Sequence, residues 1–220
     1  MRLQPWVKLP TSWIQSTGLK QFVWKQGEGS DSVAALLLLF PLAHFTSPDS
    51  GEIKLTYDDL NRATALSRTK ISSGLTLLEK ADVLIRETKH QSRYRLLGYG
   101  EEGVPWAKLP AKNLYLSNGE LTFRQSMFMR NRAELDALKI YLALVARRDN
   151  DKNAVYLSYE KITEYTGVHR NRIKAATSFL AGNGLISMEN IKSQVTDLGS
   201  ALIYRVTHVD PYKNMGTQST

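Results

Sequence analysis

The stretch LSYEKITEYTGVHRNRIKAATSFLAGNGLI, Leu157–Ile186, decides the fold. Ser158 is placed to cap a short helix over 159–165, and Glu160 in its first turn favours the positive helix end. Ile162 is the inward residue of that helix. Thr166-Gly167-Val168 reads as a tight turn in which Gly167 takes a positive φ. A longer helix follows from about His169 to Ala181, with Ile173, Thr177 and Leu180 on its inner face, and Gly182-Asn183-Gly184 stops it. Upstream, Leu135, Leu138, Tyr141, Leu142 and Val145 recur at helical spacing and predict an amphipathic helix over 132–147. A turn at 149–153 and a short strand at 155–157 separate it from the capped helix. Asn118-Gly119, between 114–116 and 121–123, predicts a hairpin. Downstream, 185–187 and 202–206 alternate as two strands joined by a loop.

The same pattern stands earlier in the chain. LTYDDLNRATALSRTKISSGLTLLEKADVLI, residues 55–85, runs in register with the first stretch, without a gap, as far as Val83-Leu84 against Leu185-Ile186. Pro5-Trp6-Val7-Lys8-Leu9-Pro10 recurs as Pro105-Trp106-Ala107-Lys108-Leu109-Pro110, and Gly18 and Phe22 match Gly119 and Phe123. A period near 100 residues is the size of a domain. The first copy predicts helices over 32–45, 57–64 (capped by Thr56) and 68–80, and a ribbon of 83–87 with 94–97. Pro41 inside the first of these should kink or shorten it. The division expected is a unit of residues 1–103, with a glycine-rich linker at about 97–104, a second unit of 104–212, and a polar tail of 213–220. The two units should fold separately unless Trp6 and Trp106 pack across the join. These two, repeated within a motif, read as structural anchors rather than base-stacking platforms.

Composition narrows the function. The 220 residues carry a formal net charge of +8, which favours an anionic partner. No cysteine is present, so disulfides, thiolate metal sites and cysteine nucleophiles are excluded. Arg2 and Lys8 near the start stand without an apolar run, so no secretory leader is expected, and Val33–Leu42 is too short to span a bilayer. The four histidines lack metal-ligand spacing, and no phosphate-binding glycine loop or H-E-x-x-H pair occurs. No enzyme activity, cofactor or metal is expected.

The order helix, short strand, helix, tight turn, helix, two-stranded ribbon is found in both halves. Both motif stretches resemble winged helix-turn-helix DNA-binding domains. The opening "KLP", the motif and the "Y-R-V" strand resemble the amino-terminal domains of phage and plasmid replication initiators, and also bacterial transcription regulators. The resemblance implies an α+β, mainly helical chain of two tandem winged-helix domains related by internal duplication. It implies double-stranded DNA as partner, without a membrane, and a cytoplasmic, nucleoid-associated location. A homo-oligomer or a replication or transcription protein is the further partner class. A sequence-specific transcription regulator is the leading function. A replication initiator of a plasmid, phage or integrated element is the alternative, and a winged-helix interaction scaffold the third. In such motifs the start of the third helix enters the major groove. That selects Ser67, Arg68, Thr69, Ser72 and Ser73 in one unit and His169, Arg170, Asn171 and Lys174 in the other, with Lys70 and Arg172 at the edge towards phosphate. Arg pairs bidentately with guanine, Asn with adenine, and Ser and Thr with either base or phosphate. His169 stands where the first unit has Ser67, a better cap. The first ribbon adds Arg86, Lys89, His90, Arg93 and Arg95 as a basic wing. The second wing, 187–201, is longer and near neutral.

Overall fold

The computed structural model describes residues 3–25, 28–87, 92–192 and 200–209. Lys89 and His90, much of the second wing loop and the polar tail therefore lie outside the described residues. The order is β1 (Trp6–Pro10), α1 (Ser12–Gln15), α2 (Gly29–His44), β2 (Glu52–Lys54), α3 (Tyr57–Thr64), α4 (Arg68–Lys80), β3 (Leu84–Arg86) and β4 (Arg93–Leu96). It continues with β5 (Trp106–Pro110), α5 (Arg132–Arg147), α6 (Tyr159–Thr166), α7 (Arg170–Gly182), β6 (Ile186–Lys192) and β7 (Ser200–Val206). Short 3-10 turns at Gly18–Gln21, Lys112–Leu114 and Thr122–Ser126 precede α2 and α5. The chain is α+β, and the described elements fit winged helix-turn-helix architecture.

α2 and α5 form the spine. Fourteen of the 16 residues of α2 are buried, so it is apolar nearly all round, as a helix enclosed on every side must be. α4 lies against it so closely that a Cβ at Gly74 would come within 2.8 Å of Leu38 Cδ1 and 3.0 Å of the Ala35 nitrogen. Only glycine permits that approach. In the second half α7 packs on α5 in the corresponding way, burying Ile173, Ala176, Thr177 and Leu180. Pro41 does not shorten α2: the helix runs on to His44 and matches α5 at 16 residues. The proline costs one hydrogen bond near the C-terminal end, where little helix remains to be lost.

Three local expectations give way to the structure. The hairpin around Asn118-Gly119 is a tight turn with one bridge, Tyr115 to Leu121, because 112–114 and 122–126 coil into 3-10 turns. The segment 155–157 makes a single bridge, Val155 to Tyr204, rather than a strand. In the first half the equivalent segment does pair, and the ribbon becomes a three-stranded sheet in the order β2-β4-β3. The glycine-rich 97–104 segment is a series of turns, with Gly98, Gly100 and Gly103 all at φ +76°.

The repeated motif pairs with its own copy. β1 and β5 are antiparallel in a register centred on Lys8↔Lys108, with Trp6 opposite Pro110 and Pro10 opposite Trp106. The flanking bonds are reciprocal too: Thr11 N–H donates to the Pro105 carbonyl at 2.8 Å, and Ala111 N–H to the Pro5 carbonyl at 2.9 Å. Trp6 and Trp106 stack with centroids 6.2 Å apart and planes 11° from parallel. Lys8 lies 4.9 Å over Trp106, and Lys108 4.8 Å over Trp6. The condition for a shared core is thus met.

Beyond this pair the two entry segments cross over. The 3-10 turn at Gly18–Gln21 packs on α6 and α1 on α5, and Lys139 Nζ of α5 donates to the Phe22 carbonyl at 2.9 Å. In exchange, Leu121 N–H donates to the Ala63 carbonyl in α3 at 2.9 Å, and the Phe123 ring meets Phe40 of α2 edge-on at 5.1 Å. His44 at the end of α2 lies 2.8 Å through Nδ1 from the Tyr115 hydroxyl, and burial lowers its pKa to about 3, so it stays neutral there. The buried apolar residues form one continuous core across both halves.

Two outcomes follow from this packing. Residues 1–103 and 104–212, expressed apart, should each lack cooperative unfolding by circular dichroism and regain it on mixing, since each fragment carries the other's entry segment. Two independent cooperative transitions would contradict the exchange. The turns give the second outcome. Ala65 holds φ +49° where the other half has Gly167 at +69°. Ala65→Gly should therefore raise stability by up to about 1 kcal/mol, and Gly167→Ala should lower it by about 1 kcal/mol or more, in denaturant titrations.

Candidate nucleic-acid interface

In the first half, α3 begins in a capping box. Thr56 Oγ1 accepts the Asp59 N–H at 3.1 Å, and the Asp59 carboxylate accepts the Thr56 N–H at 2.9 Å. The Thr56 hydroxyl, which donates to the same carboxylate at 2.7 Å, and then the Thr56 N–H hold the Asp59 carboxyl below its usual range. Ser67 Oγ then accepts the Lys70 N–H at 3.3 Å and starts α4. Ile71, Gly74, Leu75 and Leu78 face inward, so Ser67, Arg68, Thr69 and Ser72 are left exposed on the outer face of the first turns. Ser73 is half-buried. Lys70 is turned aside: Nζ donates to Asp31 Oδ1 and Ser30 Oγ, both at 2.6 Å, and so ties α4 to the start of α2.

α7 repeats the arrangement. Ser158 caps α6 through the Lys161 N–H at 3.3 Å. His169, despite the modest capping ability of histidine, receives the Asn171 N–H on Nδ1 at 3.4 Å and contacts the Asn171 side-chain oxygen at 2.7 Å. Arg170, Asn171 and Lys174 are exposed alongside it. Arg172, like Lys70, is anchored inward, with Nε 2.7 Å from Asp136 of α5.

The structure adds a partner that sequence reasoning passed over. Arg68 Nη2 lies 2.7 Å from Asp58 Oδ1, and Arg170 pairs with Glu160 while lying 5.9 Å over the Tyr159 ring. Each acid sits ten residues before its arginine, in the first turn of the preceding helix. The sequence shows that spacing twice, yet a first-turn acid is accounted for by the helix dipole alone and so draws no notice. All four side chains are more than 60% exposed. Pairs that open to water contribute little stability. They set the charge and direction of the arginine instead.

The first wing is basic but largely self-paired. Arg86 donates through Nε to Glu79 at 2.5 Å and through Nη2 to Thr76 at 2.9 Å, and Arg93 pairs with Glu52. Glu79, as the main cause, holds the Arg86 guanidinium above its usual range. Arg95 is exposed. Between the starts of α3 and α4 and this wing lies a cavity of about 440 Å³, lined by Tyr57, Asp58, Arg68, Arg86, Arg93 and Tyr94. In the second wing Arg205 pairs with Glu189 at 3.1 Å. Among the described residues no cluster of three or more His, Asp or Glu could hold a metal ion, and no helix is long and apolar enough to cross a membrane.

Residues 134–186, from α5 into β6, match the family model of a helix-turn-helix domain. No curated protein and no solved structure matches the chain. The family match supports a helix-turn-helix DNA-binding unit in the second half.

Asp58→Asn and Glu160→Gln should lower folding stability by no more than about 1 kcal/mol. Each should tighten binding to random duplex severalfold in low-salt gel shifts, because a guanidinium is released to phosphate. Unchanged duplex affinity in both variants would place these arginines away from DNA.

Proposed function

We propose that this protein is a sequence-specific double-stranded DNA-binding protein, a transcription regulator that reads two unlike half-sites with α4 and α7. The observation that carries the reading is the matched pair Arg68 and Arg170. Each stands exposed in the first turn of a helix whose inner face is fixed by packing, and each is directed by a carboxylate ten residues upstream. Winged-helix interaction scaffolds usually lack such a pair. The α7 unit rests on the helix-turn-helix match and the α4 unit on its correspondence with it.

The two units are read as products of an internal duplication. The motif that pairs with its own copy supports this, since its register is symmetric about Lys8 and Lys108. A local two-fold of that kind, continued through α2 and α5, would present the two recognition helices as a dimer of winged helices does. The half-sites should then be inverted relative to each other. Their sequences should differ, because Ser67, Arg68, Thr69 and Ser72 offer other groups than His169, Arg170, Asn171 and Lys174. Tethering makes the second contact intramolecular, so one chain gains avidity from two modest contacts.

The reading is tested by selecting bound sequences from genomic DNA. Promoter sites support a regulator, and iterated sites beside an origin would replace it with a replication initiator. Gel shifts at several salt concentrations should give a log–log slope of roughly −5 to −7, from about five to eight phosphate contacts. Arg68→Ala and Arg170→Ala should each cost about 1–3 kcal/mol and relax different base pairs. Absence of duplex binding at low salt would leave the scaffold reading.

A further inference from the structure

α5 is apolar on most of its circumference, yet it buries Lys139 at 5% exposure. The ammonium donates to the Phe22 carbonyl, so one of its three N–H groups is fixed by the exchanged segment of the first half. It lines a cavity of about 80 Å³ together with Lys20, Arg132 and Arg172. Asp136 is the one carboxylate in that lining, and Arg172 already engages it at 2.7 Å. Four cations against one acid leave a formal excess of three positive charges around a small recess. Burial, then the neighbouring Arg132, Arg172 and Lys20, draw the Lys139 amine down from 10.5 to about 8, with Asp136 opposing. Gly167 forms part of the rim. A Cβ there would lie 3.3 Å from Lys20 Cγ and 3.9 Å from Lys139 Nζ, so glycine keeps the space open.

The corresponding place in the first half is not basic. There Ala65 and Lys70 stand at the positions of Gly167 and Arg172, Lys70 is bonded to Asp31 and Ser30, and α2 carries no lysine or arginine. Concentrated positive charge is thus particular to the second half, and part of it, Lys20, is delivered by the first. The volume lies far below the roughly 300 Å³ at which pockets begin to enclose drug-sized molecules. A compact anion with several acceptor oxygens fits both the size and the donors: ammonium groups act as point charges and guanidinium groups as forks.

We propose that this recess binds one phosphate-type oxyanion, held by Lys20, Arg132, Lys139 and Arg172. Two sources share that chemistry. One is a backbone phosphate beside the half-site read by α7, and this source rests on the DNA-binding reading. The other is a free phosphate group, which does not.

The experiment uses the full chain, as wild type, Lys20→Ala and Lys139→Met. Lys20 is exposed, and circular dichroism checks the fold of both variants. In one arm, a selected duplex carries a single neutral methylphosphonate, moved one position at a time. A DNA phosphate in the recess predicts one position that costs wild type roughly tenfold or more and costs Lys20→Ala nothing further. The log–log salt slope of Lys20→Ala should fall by about one. In the other arm, inorganic phosphate is titrated against chloride at equal ionic strength. A free-phosphate site predicts a raised melting temperature in wild type that both variants lose. Either pattern supports the recess as an oxyanion site and names its source. Absence of both overturns it. If wild type fails to bind duplex at all, the DNA reading falls and the phosphate titration alone decides the site.

Discussion

Everything in the structure hangs on the antiparallel pairing of Trp6–Pro10 with Trp106–Pro110. Two copies of one short motif close on each other, with the tryptophans stacked and the lysines crossed over them. Because the pair is antiparallel, the chain leaving each copy is directed towards the other half. The entry segments at 12–22 and 111–126 must then be buried where they arrive, one against α5 and α6, the other against α2 and α3. Apolar area drives this arrangement. Phe123, Leu121, Phe22 and Leu19 are buried almost completely, and each would return to water if its segment stayed at home. The two halves are consequently not two beads on a string.

On the outer surface the governing term is charge held in check. Among the described residues, six of the eight lysines and arginines that the sequence marks for DNA have a carboxylate in reach: Arg68 with Asp58, Lys70 with Asp31, Arg86 with Glu79, Arg93 with Glu52, Arg170 with Glu160 and Arg172 with Asp136. These pairs divide by exposure. Lys70 and Arg172 are half-buried and brace the third helix against the first. Arg68 and Arg170 are open, and their pairs can exchange for a base edge at small cost. The net charge of +8 already counts both members of each pair, so the excess sits on other cations.

The helices and their inner faces were largely legible in the sequence. α3, α4 and α5 begin and end where capping residues and apolar spacing put them, since those signals act within one turn of the helix. The sites of failure are instructive. Asn118-Gly119 signals a hairpin, but the strands it should join are taken up by contacts with α2 and α3 of the other half, which local sequence does not encode. Val155–Leu157 reads as a strand, and its partner offers it a single bridge. The matched arginines of the candidate interface were legible from the internal alignment alone. Their acid partners were in plain view at a spacing of ten, but a contact between the starts of two successive helices emerges only once the turn at Ala65 or Gly167 is closed. The basic recess at Lys139 was hidden altogether, because its members come from residues 20, 132, 139 and 172.

The exchange of entry segments also sets a timetable. A protein emerging from a ribosome at about 5–20 residues per second folds its leading domain first when that domain is complete in sequence. Here α2 is not enclosed until Leu121 and Phe123, and after them Tyr141 of α5, arrive, the first of these some twenty residues after the first half has otherwise ended. For several seconds an almost wholly apolar helix, Val33–Ala43 at its centre, stands without its cover. Nascent chains of this protein should accordingly be at their most adhesive between the synthesis of β4 and that of α5, and the finished chain far less so.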